Sequence, residues 1–345
     1  MKSNEKKQSF ANKFYEFIRD IDRRIIFLFI ALAVILPIIF QIPFPEITTP
    51  MVQNVFDQIE NTPPGTRVLV AFDYDPATEP ELQPMANNFV RHLAMRGCKM
   101  YFIALWPVGQ NMIEDTIANV VEPEFPELVY GEDYCNLGFK SGNEGVIKVV
   151  QTDLRKLYPT DANGTDVDKV PMLKDVKSIR SMGLIVNVSA GYPGTKEWIQ
   201  YGSDPAGLPI VGGCTAVQAP LFYPYIPNQL IGLLGGIKGA AEYDEAMKKN
   251  YLDETSKRYR AGLKRAHEER VEESKSSLEG EDLAKAIQLS EKEYQRKLDS
   301  ETKDLYLGLF RMSPQAVAHL VIMFFIVVGN ITFFIDRSRQ KKSGQ

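Results

Sequence analysis

The strongest hydrophobic pattern in the chain is a pair of long apolar segments, one near each end. Residues 25–44 begin with the unbroken run IIFLFIALAVILPIIF, and residues 316–335 have the sequence AVAHLVIMFFIVVGNITFFI. A helix of about 20 residues is about 30 Å long, which matches the hydrocarbon core of a bilayer. Both segments are therefore predicted to be transmembrane helices, and Pro37 is expected to kink the first one near its far end.

Each apolar segment leaves one alternative open. The first could instead be a cleaved signal peptide, but the polar stretch before it is long. The following sequence PFPEITTP also has no clear small-x-small cleavage site, so an uncleaved anchor is favoured. The second segment contains His319 and Asn330. Asn330 beside Gly329 suits a close contact between helices, and the alternative is a proton or ion path.

Between the two segments, short apolar runs alternate with amphipathic stretches. This alternation predicts a parallel sheet covered by helices on both faces. We expect an α/β domain over residues 60–243, with about five mostly parallel strands in a Rossmann-like or flavodoxin-like order. The predicted strands are residues 66–73, 99–106, 134–139, 182–189 and 208–213, and the predicted helices are residues 80–97, 111–121, 143–157 and 195–201.

The segment 158–174 interrupts the alternation with several Asp, Asn and Gly residues. Its D-x-N-G-x-D spacing lacks the glutamate at position twelve and the flanking helices of a calcium-binding hand. A surface loop is therefore predicted, with a lid over the carboxyl ends of the strands as one role for it.

After the last predicted strand, residues 229–243 (QLIGLLGGIKGAAEY) are predicted to form a glycine-rich helix. Glycines allow another backbone to approach closely, either the sheet or a second copy of the chain. A homo-oligomeric contact is therefore one hypothesis for Gly232, Gly235, Gly236 and Gly239. Residues 244–312 are rich in charged residues and alanine. They predict a helical stalk or coiled coil, with a break near residues 276–280.

The placement of basic residues predicts the membrane topology. Basic side chains cluster in residues 1–24 and again in residues 336–345, whereas no Lys or Arg occurs between Phe40 and Arg67. Both tails are therefore expected in the cytoplasm, with the central domain outside it. The net charge of the 345-residue chain is −4, which does not suggest a nucleic-acid-binding protein.

The cysteines and histidines are too few and too scattered for a disulfide framework or a zinc site. The three cysteines are Cys98, Cys135 and Cys214, and no CxxC or HxxxH pair is present. We predict no metal site and no cofactor from this pattern.

Candidate functional residues follow three of the predicted strands. Open parallel sheets bind ligands at the carboxyl ends of their strands, so these residues are expected to converge. The candidate catalytic residues are Asp73, Asp75, Ser189 and Cys214, and the candidate ligand-binding residues are Asp73, Asp75, Ser189, Gly191, Gly194, Gly213 and Thr215.

Two catalytic patterns are partly matched. Asp73 and Asp75 after the strand VLVAF resemble the first motif of haloacid-dehalogenase-type phosphatases, and Ser189 resembles the second. That resemblance implies an aspartyl nucleophile with magnesium, but Pro76 and the missing downstream acidic pair depart from it. The alternative is a turn that starts a helix. Cys214 follows two glycines as in a nucleophile elbow, but no histidine is placed to activate it.

Residues 281–293 resemble a ubiquitin-interacting motif. Leu283, Ala286, Ile287 and Ser290 would share one helix face, as binding of a helix in a groove requires. A chance match in a charged helix is the alternative, and the predicted topology places this segment away from cytosolic ubiquitin.

Several longer segments resemble a family of uncharacterised bacterial two-pass membrane proteins with a central Rossmann-like domain. The segments are DRRIIFLF (22–29), PPGTRVLVAFDYDPATEPEL (63–82), YPTD (158–161), GCTAVQAPLFYPY (213–225), QLIGLLGGIKGAAEY (229–243) and VAHLVIMFFIVVGN (317–330). The resemblance implies an architecture and no particular reaction. The sequence thus favours a membrane-anchored scaffold or accessory subunit that contacts the lipid bilayer and binds an envelope protein or small ligand. An envelope hydrolase or phosphatase using Asp73, Asp75 and Ser189, and a homo-oligomeric membrane assembly, are the alternatives.

Overall fold

The chain divides into two compact units. The computed structural model describes residues 15–16 and 19–343. Of these residues, those before 45 and after 309 form the helical unit, and residues 45–309 form the sheet unit. The predicted basic tails fall partly outside this description, because residues 1–14, 17–18 and 344–345 are not described.

Two helices in the described chain are long and apolar enough to cross a membrane. The first is Arg23–Phe40, in which the Asp22 side chain accepts a hydrogen bond from the Arg24 amide at 2.9 Å and so caps the first turn. Pro37 lies inside this helix. The predicted span 316–335 lies inside a longer helix, Leu307–Ser343. Most of the apolar side chains of both helices are exposed, as expected for lipid-facing surfaces.

The sheet unit contains six parallel strands in the order β3-β2-β1-β4-β5-β6. This is the order of the doubly wound Rossmann fold, and the direction of winding reverses between β1 and β4. The prediction of a parallel α/β sheet is confirmed, with six strands rather than five. The strands are β1 Arg67–Asp73, β2 Lys99–Ala104, β3 Tyr134–Phe139, β4 Leu184–Ser189, β5 Ile210–Cys214 and β6 Leu233–Gly235.

Helices cover the sheet, and a helical extension follows it. Two of the helices carry the site described below: α2 (Glu79–Met95) and α5 (Thr195–Glu197), which continues as a π-helical turn to Ser203 and a last turn to Ala206. The others are α1 Pro50–Glu60, α3 Gly109–Thr116, α4 Glu144–Val150, α6 Ala219–Phe222, α7 Gly236–Ser277, α8 Gly280–Asp299 and α9 Glu301–Leu305.

The central strands form the core because their apolar residues are continuous rather than alternating. Residues 68–72 of β1 are fully buried, as are residues 100–104 of β2. Strands with both faces buried require such continuous apolar runs. Asn187, in the middle of β4, is polar and nevertheless fully buried. A buried amide needs hydrogen-bond partners, so Asn187 marks a polar site inside the core.

The prediction of one glycine-rich helix over residues 229–243 is wrong in its first half. Leu233–Gly235 forms β6 and pairs with the end of β5, and α7 begins only at Gly236. A Cβ on Gly232 would lie 2.3 Å from the Met51 carbonyl oxygen, so only glycine admits α1 here. The glycines proposed for a homo-oligomer therefore pack against their own chain, with Gly235 facing Ala219 and Gly239 facing Leu234.

The segment 158–174, for which a lid over the carboxyl edge was one predicted role, packs along the side of the sheet together with residues 175–183. The Ala162 amide donates to the Asn136 carbonyl of the edge strand β3 at 2.8 Å. Tyr101 Oη donates to the Met172 carbonyl at 2.7 Å. Apolar residues of the same segment, including Val167 and Ile179, join the core. The segment therefore covers the side of the sheet and shields the β3 edge from pairing.

The predicted charged stalk is an antiparallel helical hairpin formed by α7 and α8. The chain turns at Leu278 and Glu279, close to the predicted break. His267 of α7 contacts Ser290 Oγ at 2.9 Å and stacks on Tyr294 with ring centroids 5.1 Å apart. Beyond Gly262, no residue of α7 is buried. We call residues 263–297 the helical arm.

The face proposed for ubiquitin binding is turned towards the other helix of the arm. Ser290 is buried against His267, and Leu283, Ala286 and Ile287 on the same face are half-buried. The exposed large apolar side chain of α8 is Leu289, which lies outside that face. The arm itself thus occupies the surface that this motif would use.

Candidate functional site

The candidate strand ends lie at one edge of the sheet. In the strand register, Asp73 of β1 is opposite Ser189 of β4, and Ser189 is opposite Cys214 of β5. Parallel strands bring their carboxyl ends together, and this edge includes the point where the winding reverses. The structure therefore brings Asp73, Ser189 and Cys214 to one edge, and their individual partners decide what each can do.

Asp73 is fully buried, and its carboxylate is saturated by donors from its own chain. Oδ1 accepts from the Leu105 amide at 2.8 Å. Oδ2 accepts from Asn187 Nδ2 and from Trp198 Nε1, each at 2.8 Å. These donors come from the loop after β2, from β4 and from α5. The carboxylate therefore joins three elements, and its oxygens face the protein rather than a cleft.

Burial raises the pKa of the Asp73 carboxyl to about 7, although its three hydrogen bonds oppose the shift. The nearby charge of Glu197 adds to the increase, and none of the three donors is a cation. A carboxyl group with neutral donors in an apolar interior is therefore close to half-protonated at neutral pH.

Ser189 is the start of a hydrogen-bond chain that ends on Asp73. Thr195 Oγ1 donates to Asn187 Oδ1 at 2.6 Å, so its single proton is used there. The Ser189 hydroxyl, 2.8 Å from Thr195 Oγ1, must then be the donor of that pair. Ser189 Oγ also accepts from the Thr195 amide at 3.1 Å. Since Asn187 donates to Asp73, the order is Ser189, Thr195, Asn187, Asp73, and Ser189 has no hydrogen left for a substrate.

Asp75 does not share a pocket with Asp73. Its Oδ1 accepts from the Thr78 amide at 3.1 Å and from Thr78 Oγ1 at 3.0 Å. This is a turn that precedes α2, and Asp75 is half-exposed within it. The two carboxyl groups therefore do different structural work, which matches the turn interpretation of the sequence rather than a metal-binding pair.

The glycines predicted to bind a ligand instead leave room for side chains of the same chain to pack against their backbone. A Cβ on Gly194 would lie 2.7 Å from Ser189 Oγ, and one on Gly191 would lie 3.0 Å from the Trp106 ring. A Cβ on Gly213 would lie 2.9 Å from Met85 Sδ. Each glycine is therefore required by packing within the chain.

Cys214 and Thr215 at the end of β5 differ in availability. Cys214 is fully buried, and burial raises the pKa of its thiol, so it stays protonated and unreactive. Thr215 Oγ1 is buried without a hydrogen-bond partner in the described chain, and so is Gln218 Oε1. Both oxygens are unused polar atoms after the end of β5, and they suit a neutral donor such as a hydroxyl or amide.

A second buried polar network lies on the face formed by α2 and α7. His92 Nε2 is 2.9 Å from Glu60 Oε2, and Nδ1 is 2.7 Å from Tyr243 Oη. Because the carboxylate only accepts, Nε2 carries the hydrogen and Nδ1 accepts from the tyrosine. Burial lowers the pKa of His92 to about 4, so the imidazole is neutral. This network joins α1, α2 and α7.

The third network surrounds the junction between the sheet and the helical hairpin. Arg91 and Glu124 form a fully buried bidentate pair, with Nε–Oε2 and Nη2–Oε1 distances of 2.7 Å. Beside it, Asn88 Nδ2 donates to Asp244 Oδ1. Asp244 Oδ2 accepts from the Leu309 amide at 2.9 Å and thereby caps the helix that begins at Leu307. Burial raises the pKa of Asp244 to about 7.

Within the described residues, no three or more His, Cys, Asp or Glu side chains are grouped to hold a metal ion. The candidate nucleophiles are buried and hydrogen-bonded, or protonated. In comparisons with family models, with curated proteins and with solved structures, nothing matches the chain. The chemistry that the site supports is therefore argued from its geometry alone.

The sequence did not identify Asn187, Thr195 and Trp198 as site residues. One signal was available: Asn187 is the polar residue inside the otherwise apolar strand LIVNVS, and buried polar residues are informative. No comparable signal marks Trp198, because its indole reaches Asp73 only through the placement of α5 on the sheet.

Proposed function

We propose that the chain is a membrane-anchored, non-enzymatic scaffold or accessory subunit whose α/β domain and helical arm bind a partner protein outside the cytoplasm. The saturation of Asp73 carries this proposal. In a strand-end enzyme the central carboxylate faces the substrate, whereas here its acceptors are used by a backbone amide, an amide side chain and an indole. The strand ends thus stabilise the fold, which disfavours the hydrolase alternative.

The helical arm is the element that fits partner binding. It extends beyond the sheet by about 20 Å, at 1.5 Å per residue, and its helices bury little surface of their own. Polar pairs such as Arg270–Glu293 hold its two helices together. The Leu289 side chain is 69% exposed on its outer face. A firm helical projection with an exposed apolar residue matches the mode in which a helix binds in a groove.

The two apolar helices supply the anchor in this proposal. Their flanking basic residues support a topology with both tails in the cytoplasm. The resemblance to bacterial two-pass membrane proteins supports the same arrangement. The sheet unit and its arm would then face the outside, where the partner is expected to be another envelope or membrane protein.

Site-specific photo-crosslinking in native membranes tests partner binding. A photoreactive amino acid replaces Leu289 in the arm, and a matched variant carries it at Leu252, which is 44% exposed in α7 outside the arm. We expect one discrete adduct, with the same partner from Leu289 and from its neighbour Gln288, and no such adduct from Leu252.

A variant with a shortened arm tests whether the adduct requires the helical arm. In this variant residues 271–289 are replaced by a two-residue Asn-Gly turn, and the photoreactive residue is placed at Gln295. Loss of the adduct with retained expression supports the proposal. Adducts that are equally strong at Leu252, or none at any arm position, contradict it, and an adduct of the chain with itself supports the homo-oligomeric alternative.

Cysteine accessibility tests the topology. Cys98, Cys135 and Cys214 are all buried, so an introduced exposed cysteine is labelled selectively. We expect Leu289→Cys to react with a membrane-impermeant maleimide in intact cells, and Ser338→Cys, which is exposed after the second apolar segment, to react only after permeabilisation. The reverse order would contradict the proposed topology.

A further inference from the structure

Exposed apolar side chains of the sheet unit concentrate on one side. Residues 45–309, all of which the structure describes, expose ten large apolar side chains, and six lie at the carboxyl edge of the sheet or beside it. We call these six the edge patch. They are Ile47, Val108, Tyr192, Val217, Leu221 and Tyr223, and the two most exposed, Ile47 and Val217, are each 87% exposed.

The patch is assembled from separate segments rather than from one loop. Val108 follows β2, Tyr192 follows β4, and Val217 and Leu221 follow β5. Ile47 joins them through its neighbours, because Glu46 lies 3.4 Å from Lys238 in the first turn of α7. Four segments that expose apolar residues on the same side indicate a surface that is covered in the working protein.

The longest of these segments carries no charge. Between Asp204 and Lys238 the sequence contains no Asp, Glu, Lys or Arg. A surface connection in contact with water normally carries charged residues, yet this one exposes Val217 and Leu221. Its composition resembles an interfacial segment more than a solvated loop.

The chain enters and leaves the sheet unit at this same side. Strand β6 ends at Gly235, opposite the last residue of β5, so α7 starts at the carboxyl edge. The incoming chain lies against the first turns of α7, where the Thr49 amide donates to Glu242 Oε2 at 2.8 Å. The outgoing chain returns to them at Gly308, where a Cβ would lie 2.7 Å from the Ala240 carbonyl carbon.

We propose that the edge patch rests in the headgroup region of the lipid bilayer. This inference rests on the membrane anchoring proposed above. The chain enters and leaves the sheet unit on the side that carries the patch, and anchoring through these two connections would bring that side to the lipid. The tyrosines suit this position, since their rings are apolar and their hydroxyls polar.

Lipid-dependent fluorescence quenching tests the proposal with the full chain. Val217→Cys is labelled with an environment-sensitive dye, and the purified protein is placed in nanodiscs of phosphatidylcholine and phosphatidylglycerol, with or without a spin-labelled quenching lipid. Leu289→Cys in the arm is the matched exposed control. We expect a blue-shifted emission and loss of fluorescence to the quenching lipid at position 217, and neither effect at position 289.

A third labelled site separates the two proposals. Phe324→Cys lies in the C-terminal apolar helix and reports on anchoring itself. Quenching at 324 without quenching at 217 overturns the edge-patch proposal and leaves anchoring intact, whereas quenching at neither site overturns both. Protection of 217 in native membranes but not in nanodiscs identifies a protein as the occupant and overturns the lipid assignment.

A charged variant provides an independent check. Val217→Asp with Leu221→Asp removes the apolar character of the most exposed loop, and both residues are exposed enough to change without disturbing the core. With the dye at Tyr223→Cys, we expect this change to abolish the blue shift and the quenching. Unchanged quenching would overturn the proposal, and Leu289→Asp serves as the control that leaves the signal unaltered.

Discussion

The buried carboxyl groups of Asp73 and Asp244 lie in two polar networks of the sheet unit that are built from different partners. Asp73 and Asp244 are both completely buried, and burial raises the pKa of each to about 7. The donors to Asp73 are all neutral. Asp244 lies near the Arg91 guanidinium, which opposes the increase in its pKa, and it caps a helix. One carboxyl group therefore joins strands and loops by hydrogen bonds alone, whereas the other belongs to a charged junction.

This comparison shows how a buried aspartate with a structural role can be distinguished from a catalytic one. A pKa near 7 in a strand-end aspartate is a typical sign of a functional site. Asp244 has the same perturbation in α7, outside the strands, so the pKa alone does not discriminate. The hydrogen-bond partners do discriminate. Each carboxylate oxygen of Asp73 and of Asp244 already accepts a hydrogen bond from the chain, so neither group is free for a substrate.

We expect the largest effect from removing the Asp73 carboxylate, which accepts hydrogen bonds from neutral donors only. Asp73→Ala leaves the Leu105 amide, Asn187 Nδ2 and Trp198 Nε1 buried without their acceptor. At about 1–3 kcal/mol for each unpaired donor, the free energy of unfolding should fall by about 4–6 kcal/mol. Urea unfolding of the full chain in detergent, followed by tryptophan fluorescence, measures this. Asp75→Ala at the same strand end should cost only about 1 kcal/mol, and equal costs would contradict the assignment.

The next effect removes the cation from the charged junction. Arg91→Met leaves Glu124 buried without its partner and Asp244 without its nearby positive charge, and we expect a loss of about 3–5 kcal/mol. Adding Glu124→Leu to the same chain should restore most of that loss, because an apolar pair replaces a buried ion pair at little cost. The same unfolding experiment applies. A double variant as unstable as the single one would show that the charge is not what matters.

The pH dependence of stability sharpens the comparison further. For both aspartates the folded pKa lies above the unfolded value of about 3.9, so their stabilising contribution is complete below about pH 4 and is lost as the pH rises through about 7. Between about pH 6.5 and 8, each should lower the free energy of unfolding by about 1 kcal/mol. Urea midpoints at the two pH values measure the slope, and Asp244→Asn should reduce it. An unchanged slope would mean that Asp244 does not titrate in this range.

The smallest effect concerns the outer end of the hydrogen-bond chain. Ser189→Ala leaves the Thr195 amide without its acceptor, so we expect a loss of about 1 kcal/mol. Thermal unfolding measured by circular dichroism detects a change of this size as a few degrees. A loss as large as that of Asp73→Ala would show that the two residues form one cooperative unit.

The sequence predicts the parts of the fold that depend on long apolar runs. Strands β1 to β5 lie within about two residues of their predicted bounds, because a strand buried on both faces requires a continuous apolar segment. Strand β6 was not predicted, because a three-residue strand inside a glycine-rich run is too short to show a periodic pattern of apolar residues. Its place is set by pairing with β5 and by the close approach of α1 at Gly232.

The candidate site could be located from the sequence but not interpreted. Strand alternation was enough to expect Asp73 and Ser189 at one edge. Their roles depend on groups that carry no local signal, such as the Leu105 amide and the Trp198 indole, which arrive through tertiary packing. The fate of a strand-end carboxylate is therefore decided by residues up to 125 positions away in the chain.

The way the chain enters and leaves the sheet unit makes that unit a transferable module. Thr49 and Gly308 contact neighbouring turns at the start of α7, so the two junctions of a segment of more than 250 residues lie close together. Such a segment can be excised at residues 45 and 309, or grafted into a loop of another protein, without stretching its ends apart. Recombination that transferred this segment into another protein would therefore leave its fold intact. The same two junctions can be used in protein engineering.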